Sequence, residues 1–134
     1  MTVREELSKE DRRYRMSWIL WSAFTASIAL YQAVALLVQP AGVVNNANVE
    51  HVLMILAAAY VLLSIPAKRV LRAQADAVDS TLIRGLSEIV PLVLCEAAAV
   101  TGLVLRLASG SPHYYVFLLL ALAGMLLNLP RRER

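Results

Sequence analysis

Residues 85–108 read GLSEIVPLVLCEAAAVTGLVLRLA, and this stretch decides the fold class. Apart from Glu88, Glu96 and Arg106 it carries no charge. A helix of about 20 mostly apolar residues crosses the hydrocarbon layer of a bilayer, where each backbone polar group must be bonded within its own segment. The stretch is long enough, and it lacks the alternation of polar and apolar residues that is typical of barrel strands. It therefore predicts a transmembrane helix.

Three further stretches have the same character, at residues 17–38, 51–70 and 114–129. The 134-residue chain is 59% hydrophobic and only 17% charged, which is too little charge to cover so much apolar surface in water. The sequence thus predicts an all-α polytopic membrane protein with four transmembrane helices. A cleaved signal peptide is the alternative for the first stretch, but 17–38 is longer than a usual signal core and follows several acidic residues, so we expect a retained helix.

Basic residues cluster at one set of helix ends. They precede the first helix (Arg4, Lys9, Arg12, Arg13, Arg15), separate the second from the third (Lys68, Arg69, Arg72, Arg84) and follow the fourth (Arg131, Arg132, Arg134). Basic residues near helix ends stay on the cytoplasmic side, so both termini are predicted inside, in a bacterial inner membrane. We expect anionic lipid headgroups to meet Lys68, Arg69, Arg72, Arg131 and Arg132. Trp18 and Trp21 are expected to be headgroup anchors at the same side.

The chain divides into four parts and contains an apparent repeat. The parts are a charged helix (1–16), a first hairpin (17–66), a basic linker (67–84) and a second hairpin with a basic tail (85–134). A shift of 64 positions places Gln32 on Glu96 and Pro66 on Pro130. This match predicts an internal duplication, in which two tandem hairpins form a four-helix bundle about an axis along the membrane normal.

Glu96 is the principal candidate for a functional site. An ionised carboxylate near the bilayer centre costs about 2.5–3.5 kcal/mol on insertion scales, and such residues mark ion or proton pathways by default. Gln32 and Glu88 are the other candidates for this site, although Glu88 is expected to pair with Arg84 four residues away. The alternative is a neutral Glu96 that joins helices by hydrogen bonds. Its partners would be polar residues of the first helix, namely Gln32, Ser22, Thr25 and Ser27. Both interpretations stay open.

Small residues at helix-contact spacing form a second group of candidates, which comprises Ala98, Gly102, Ala26, Ala29 and Ala33. They let helix backbones approach closely in lipid. Their spacing is equally suited to packing inside one chain and to packing against another subunit.

Neither a metal site nor an enzyme is predicted. His51 and His113 are weak metal candidates at helix starts, without a ligand-spacing motif. No histidine pair inside the apolar stretches could hold a haem, and nucleotide-loop, zinc-protease and nucleophile-elbow motifs do not occur. The lone Cys95 is expected to be a small buried residue. We therefore predict no cofactor, no nucleic-acid partner and no soluble substrate.

Residues 86–102, LSEIVPLVLCEAAAVTG, precede an apolar hairpin that ends in Leu129, Pro130 and Arg131. In these features the chain resembles a family of small uncharacterised bacterial membrane proteins with four helices and a Glu-x-Ala-x-x-x-Gly-like third helix. That resemblance implies a membrane location and brings no activity. The chain is also similar to the proteolipid (c) subunits of rotary ATPases, which would make Glu96 a proton carrier and Gln32 its inactive counterpart. Those subunits place the carboxylate on the second helix of a hairpin, after a glycine-rich first helix. Here Glu96 lies on the third helix of the chain, which is the first helix of the second hairpin.

Three functions follow from these observations. The first is a non-enzymatic membrane subunit that packs with itself or within a larger membrane complex, as the short loops and small residues indicate. The alternative is a proton or cation pathway component that uses Glu96. A lipid or small-molecule carrier with polar groups between its hairpins is the third.

Overall fold

The computed structural model of the protein describes residues 2–39 and 47–131, so Arg132 lies outside the described residues. The described chain forms four helices: α1 (Val3–Leu37), α2 (Ala47–Val78), α3 (Thr81–Ser109) and α4 (Tyr114–Leu127). Three of them, α1, α2 and α3, are long and apolar enough to cross a membrane. The prediction of an all-helical membrane protein with four helices is confirmed at this level.

Helix α4 is shorter than the sequence predicted. It has 14 residues, which span about 21 Å at 1.5 Å per residue, against a hydrocarbon layer of about 30 Å. The helix ends at Leu127, and Asn128 caps it. The Asn128 side-chain amide donates to the carbonyl of Gly124 at 2.9 Å. Pro130 cannot continue a helix beyond this cap. A full crossing by α4 stays a prediction.

The basic segment 67–84 is helical over most of its length. Helix α2 continues through Pro66 to Val78, and only Asp79 and Ser80 separate it from α3. Asp79 has a left-handed backbone, with φ of 48°, and the Ser80 hydroxyl accepts a bond from the Ile83 N–H at the start of α3. Because this turn is so short, α2 folds back directly onto α3 as a helical hairpin.

Helix α3 is the centre of the bundle. It packs against α1, α2 and α4, and α4 also contacts α1 and α2. Within the described residues α1 and α2 do not pack against each other, although they follow one another along the chain. A two-fold axis between hairpins would require α1 to pack on α2 as α3 packs on α4. The helices therefore lack the symmetry expected from the repeat, and the duplication stays a prediction from the sequence.

Side-chain contacts fix the helix directions and define two sides of the bundle. Lys68 of α2 lies beside Glu88 of α3, and Glu50 of α2 lies beside His113 before α4. On α1, Trp21 bonds Met125 near the end of α4, and Ala35 bonds Arg106 near the end of α3. Helices α1 and α3 therefore run one way, and α2 and α4 the other. We call the end at Lys68 and Glu88 the basic side, and the end at Glu50 and His113 the loop side.

Two glycines set the closest helix contacts. A Cβ atom on Gly102 of α3 would lie 2.5 Å from the Cβ of Phe117, which is fully buried in α4. A Cβ atom on Gly124 of α4 would lie 2.6 Å from the Sγ of Cys95. Real Cβ atoms do not approach so closely, so each crossing requires a residue without a side chain. The core around them is formed by Ile28, Ala57, Val61, Leu92, Ala98, Ala99, Leu105, Ala121 and Met125.

Candidate membrane-embedded site

Glu96 makes a hydrogen bond with Tyr31 across the α1–α3 contact. The Tyr31 hydroxyl donates to Glu96 Oε1 at 2.7 Å, and both side chains are half-buried. No ion pair to Glu96 occurs among the described residues. Gln32, one of the partners expected from the sequence, lies one position further along α1. Sequence reasoning missed Tyr31, although it shares a helical face with Ile28 and Ala35, three residues before and four after it, which are the two buried residues of α1.

A groove runs from this pair toward the loop side between α1, α3 and α4. It is small, with a volume of about 10 Å³ that would hold about one water molecule. It is partly open and is lined by Tyr31, Gln32, Ala35, Ala99, Leu103, Tyr114 and Leu118. Gln32 is thus brought to the groove beside Tyr31 without bonding to Glu96. The groove has polar side chains at its inner end and alanine and leucine side chains along its wall.

Arg106 stands at the loop-side end of the groove. Its Nε donates to the carbonyl of Ala35 at 3.4 Å, and its Nη1 donates to the carbonyl of Gly110 at 3.0 Å. Its guanidinium carbon lies 5.3 Å from the centre of the Tyr114 ring, a distance suited to a cation–π contact. Ala35 and Tyr114 both line the groove, so the guanidinium is fixed at its mouth.

Glu88 belongs to a separate ion-pair cluster on the basic side. It lies 2.5 Å from Arg72 Nη2 and 3.8 Å from Lys68 Nζ, both on α2. The expected pair with Arg84 does not form, because the short turn brings α2 against α3 and Arg84 instead bonds Asp76 at 2.6 Å. Eight residues of helix place Glu88 about 12 Å from Glu96 along α3, so the two carboxyl groups do not share a site.

The predicted headgroup contacts are only partly available to lipid. The Lys68 side chain is 17% exposed and lies against Glu88, and Arg72 is half-buried at the same carboxylate. Arg69 and Arg131 are exposed on the basic side. Trp21, expected as a headgroup anchor, donates its indole N–H to the Met125 carbonyl at 2.8 Å and so joins α1 to α4.

A buried polar cluster that sequence reasoning missed joins α2, α3 and α4. The Asn128 amide donates to the Ser64 hydroxyl at 3.0 Å and lies 3.8 Å from the Sγ of Cys95. Ser64 in turn donates to the carbonyl of Val61 at 2.7 Å. Because these groups bond to one another, the cluster acts as a structural joint in an apolar environment.

The small residues predicted for helix packing fall into two sets. Ala98 and Gly102 are buried inside the bundle, whereas Ala26, Ala29 and Ala33 are exposed on α1. Together with the exposed Ser22, the last three form a strip on the side of α1 away from Ile28 and Ala35. We call the strip Ser22, Ala26, Ala29 and Ala33 the small-residue face.

The two histidines have different partners. His113 Nδ1 lies 2.5 Å from Glu50 Oε1, a contact that links the loop-side starts of α2 and α4. His51 Nδ1 lies 2.6 Å from the Ala47 carbonyl of its own helix. Across residues 2–39 and 47–131, no group of three or more His, Cys, Asp or Glu side chains is arranged to hold a metal ion.

Comparison with known proteins finds no relative: no family model, no curated protein and no solved structure matches this chain. A functional assignment therefore rests on the helix packing and the polar contacts.

Proposed function

We propose that this chain is a non-enzymatic membrane subunit that associates through the small-residue face of α1, either with a second copy of itself or with another membrane subunit. Its placement in a bacterial inner membrane with both termini in the cytoplasm is part of the same proposal. The proposed association rests on one observation, which is the exposure of the small-residue face.

Helix α1 is the least enclosed of the three long apolar helices. Only 11% of its most apolar window is buried inside the bundle, against 39% for α3. Of its residues only Ile28 and Ala35 are fully buried, and α2 does not cover its flank. A partner helix therefore has access to most of its surface.

The composition of the exposed strip favours a helix as the neighbour. Ser22, Ala26, Ala29 and Ala33 recur at intervals of four, three and four residues, which places them in one line along α1. In lipid, helices associate by close packing and interhelical hydrogen bonds, and small residues let their backbones approach. Larger exposed residues lie beside the strip, with Ile19 and Leu30 on one side of it and Leu36 on the other. A second helix would thus pack on the strip between larger side chains.

Replacing Ala29 by leucine is expected to weaken association by about 1–3 kcal/mol, because the added atoms overpack a close helix contact. Native mass spectrometry after gentle detergent extraction, and particle mass in lipid nanodiscs, measure the change. The wild-type chain should appear as an oligomer or within a complex, and Ala29→Leu should shift the population toward the monomer.

The matched control is Ala23→Leu, which adds the same atoms to α1 at an exposed position outside the strip. Both variants are at least as apolar as the wild type, so membrane insertion is preserved. Equal oligomer fractions for Ala29→Leu and wild type, or a wild-type monomer in both detergent and nanodiscs, would contradict the proposal.

A second candidate function, proton exchange at Glu96, has the Tyr31 contact in its favour. The Tyr31 hydroxyl can donate to Oε1 whether or not Oε2 carries a proton, so the side chain stays in place in both states. A metal ion such as Ca²⁺ needs about six oxygen ligands, whereas the described contact supplies one carboxyl group and one tyrosine hydroxyl. A proton is therefore a better cargo than a metal ion for this site.

Labelling with a hydrophobic carbodiimide tests this second candidate. A protonated carboxyl gives its proton to one carbodiimide nitrogen while its oxygen adds to the central carbon, and the acyl group then migrates to nitrogen as a stable N-acylurea. We expect one adduct, mapped to Glu96, whose rate of formation falls as the pH rises. Glu96→Gln should lack the adduct.

Glu88 is the internal control for this labelling, because its carboxylate is held by Lys68 and Arg72 and should not react. No adduct above the Glu96→Gln background at any pH, or a rate that does not depend on pH, would exclude proton exchange. Proton flux into liposomes that is lost in Glu96→Gln would extend exchange to transport.

A further inference from the structure

We propose that the groove between α1, α3 and α4 binds one water molecule, held by Tyr31 and Gln32, which connects Glu96 to the loop side. Proton exchange at Glu96 would then take place with the aqueous phase at the loop side and not with the one at the basic side. The water site stands on the geometry of the groove alone. The direction of exchange rests on the proton exchange proposed above for Glu96.

The groove has the size of a single water molecule. Its volume of about 10 Å³ is about the least that holds one water, so larger ligands do not fit. A water bound inside a protein makes about three hydrogen bonds to polar groups. The groove is lined by three residues with polar side chains, Tyr31, Gln32 and Tyr114. The site therefore has both the space and the residue types that a bound water needs.

Gln32 and Tyr31 carry hydrogen-bonding groups that such a water would satisfy. The Gln32 side chain is half-buried, and among the residues that the structure describes its amide has no hydrogen-bond partner. An amide without a partner is unfavourable in the hydrocarbon layer, where lipid chains offer none. The Tyr31 hydroxyl gives its proton to Glu96, and its lone pairs can still accept. A water can therefore accept from Gln32 and donate to Tyr31.

The contact between α1 and α3 is filled differently on the two sides of Glu96. One turn nearer to the basic side lie Ile28 and Leu92, which are 0% and 4% exposed and fill the contact with large side chains. One turn nearer to the loop side lie Ala35 and Ala99, and both line the groove. The small side chains leave the space for water on this side only. A hydrogen-bonded path from Glu96 thus leads toward the loop side.

Release of a proton along this path moves two protons together. The protonated Glu96 donates to the Tyr31 oxygen while the Tyr31 hydroxyl turns to donate to the water. One proton passes from Glu96 to Tyr31 as another passes from Tyr31 to the water. Tyr31 keeps its hydroxyl, Glu96 becomes a carboxylate, and the water passes the extra proton to the loop-side aqueous phase. Arg106 stands at that end without lining the groove.

Solid-state NMR of the full chain in lipid bilayers tests the water site. Magnetisation transfer is measured from water protons to the side-chain carbonyl carbon of Gln32, whose signal is identified by its loss in Gln32→Leu. We expect transfer in the wild type and its loss in Ala99→Val, whose added methyl groups occupy the groove. Ala23→Val adds the same atoms at an exposed position of α1 and should keep the transfer.

The water site is wrong if the wild type shows no transfer to Gln32, or if Ala99→Val and wild type show equal transfer. Because the first of these results uses the wild-type chain, it decides the matter even if Ala99→Val fails to fold.

Carbodiimide labelling in sealed proteoliposomes tests the direction of exchange. Both lysines of the sequence, Lys9 and Lys68, lie at the basic side, so an impermeant amine reagent added outside marks only chains whose basic side faces outward. The external pH is raised during labelling while the internal pH stays fixed, and marked and unmarked chains are then analysed separately. We expect Glu96 labelling to slow by up to about tenfold per pH unit in unmarked chains, and to stay unchanged in marked ones.

A proton ionophore is the control for this design. It equalises the pH across the membrane, so marked and unmarked chains should then respond alike. Slower labelling of marked chains before the ionophore is added, or an equal response of both populations, would overturn the loop-side direction. The absence of any Glu96 adduct would instead refute proton exchange itself, and the NMR result would still decide the water site.

Discussion

Gly102→Ala is expected to destabilise the bundle by about 1–3 kcal/mol, the usual cost of overpacking a close contact. The new Cβ would lie 2.5 Å from the Phe117 Cβ and 3.2 Å from the Tyr114 carbonyl oxygen. Neither atom is the end of a flexible side chain, so α4 has to move away from α3. Unfolding titrations in mixed detergent micelles, followed by circular dichroism, measure the loss.

The chain offers a matched pair of comparisons for this prediction. Gly124→Ala should also destabilise, because its Cβ would meet the Sγ of Cys95 and a methyl group of Val61. Gly85→Ala adds the same methyl group to α3 where nothing lies within 4 Å, and it should be neutral or stabilising by up to about 1 kcal/mol through helix propensity. If Gly102→Ala were as stable as Gly85→Ala, the close α3–α4 crossing would be wrong.

Glu88→Gln is the second substitution with a large expected effect, a loss of about 1–2 kcal/mol. Breaking a buried ion pair costs about 3–5 kcal/mol, but Lys68, Arg72 and Glu88 keep 17–38% of their side chains exposed, which lowers the cost. The substitution removes the contacts of the Glu88 carboxylate with Lys68 and Arg72 at the junction of α2 and α3. The same unfolding titration measures the loss, and added salt should reduce the difference between variant and wild type.

Asp76→Asn is the control for the ion-pair cluster. Its pair with Arg84 has similar geometry, but the Asp76 side chain is 69% exposed, so its removal should cost no more than about 1 kcal/mol. Equal losses for Glu88→Gln and Asp76→Asn would mean that burial at the α2–α3 junction does not strengthen the Glu88 cluster.

Both effects concern α3, on which the proposed sites depend. Helix α3 carries Glu96 and Arg106, and its glycine and its ion pairs fix it against α4 and α2. A shift of α3 would move Glu96 relative to Tyr31 and would reshape the groove. Destabilised variants should therefore lose the carbodiimide adduct at Glu96.

Much of the architecture could be predicted from the sequence. The long apolar stretches identified the three spanning-length helices and the start of α4, because the hydrocarbon layer demands continuous apolar helix. They did not reveal that α4 ends at Leu127, two residues before the end of the predicted stretch. Asn128 caps the helix by a hydrogen bond and Pro130 cannot continue it, and neither effect appears in the hydropathy.

The choice of neighbours was decided only by the tertiary structure. The sequence placed Glu96 inside the third helix. The rotation of α1 about its axis brings Tyr31, and not Gln32, into hydrogen-bond contact with Glu96. The short turn at Asp79 brings α2 against α3, so Glu88 pairs with Lys68 and Arg72 of α2. The same rotation leaves Ala29 exposed. In a water-soluble protein, the buried side of a helix is apolar and the exposed side is polar, so the sequence shows which side faces the core. In lipid both sides are apolar, and the sequence shows little of which side faces the protein. Composition thus determined that the helices form, and side-chain shape determined how they meet.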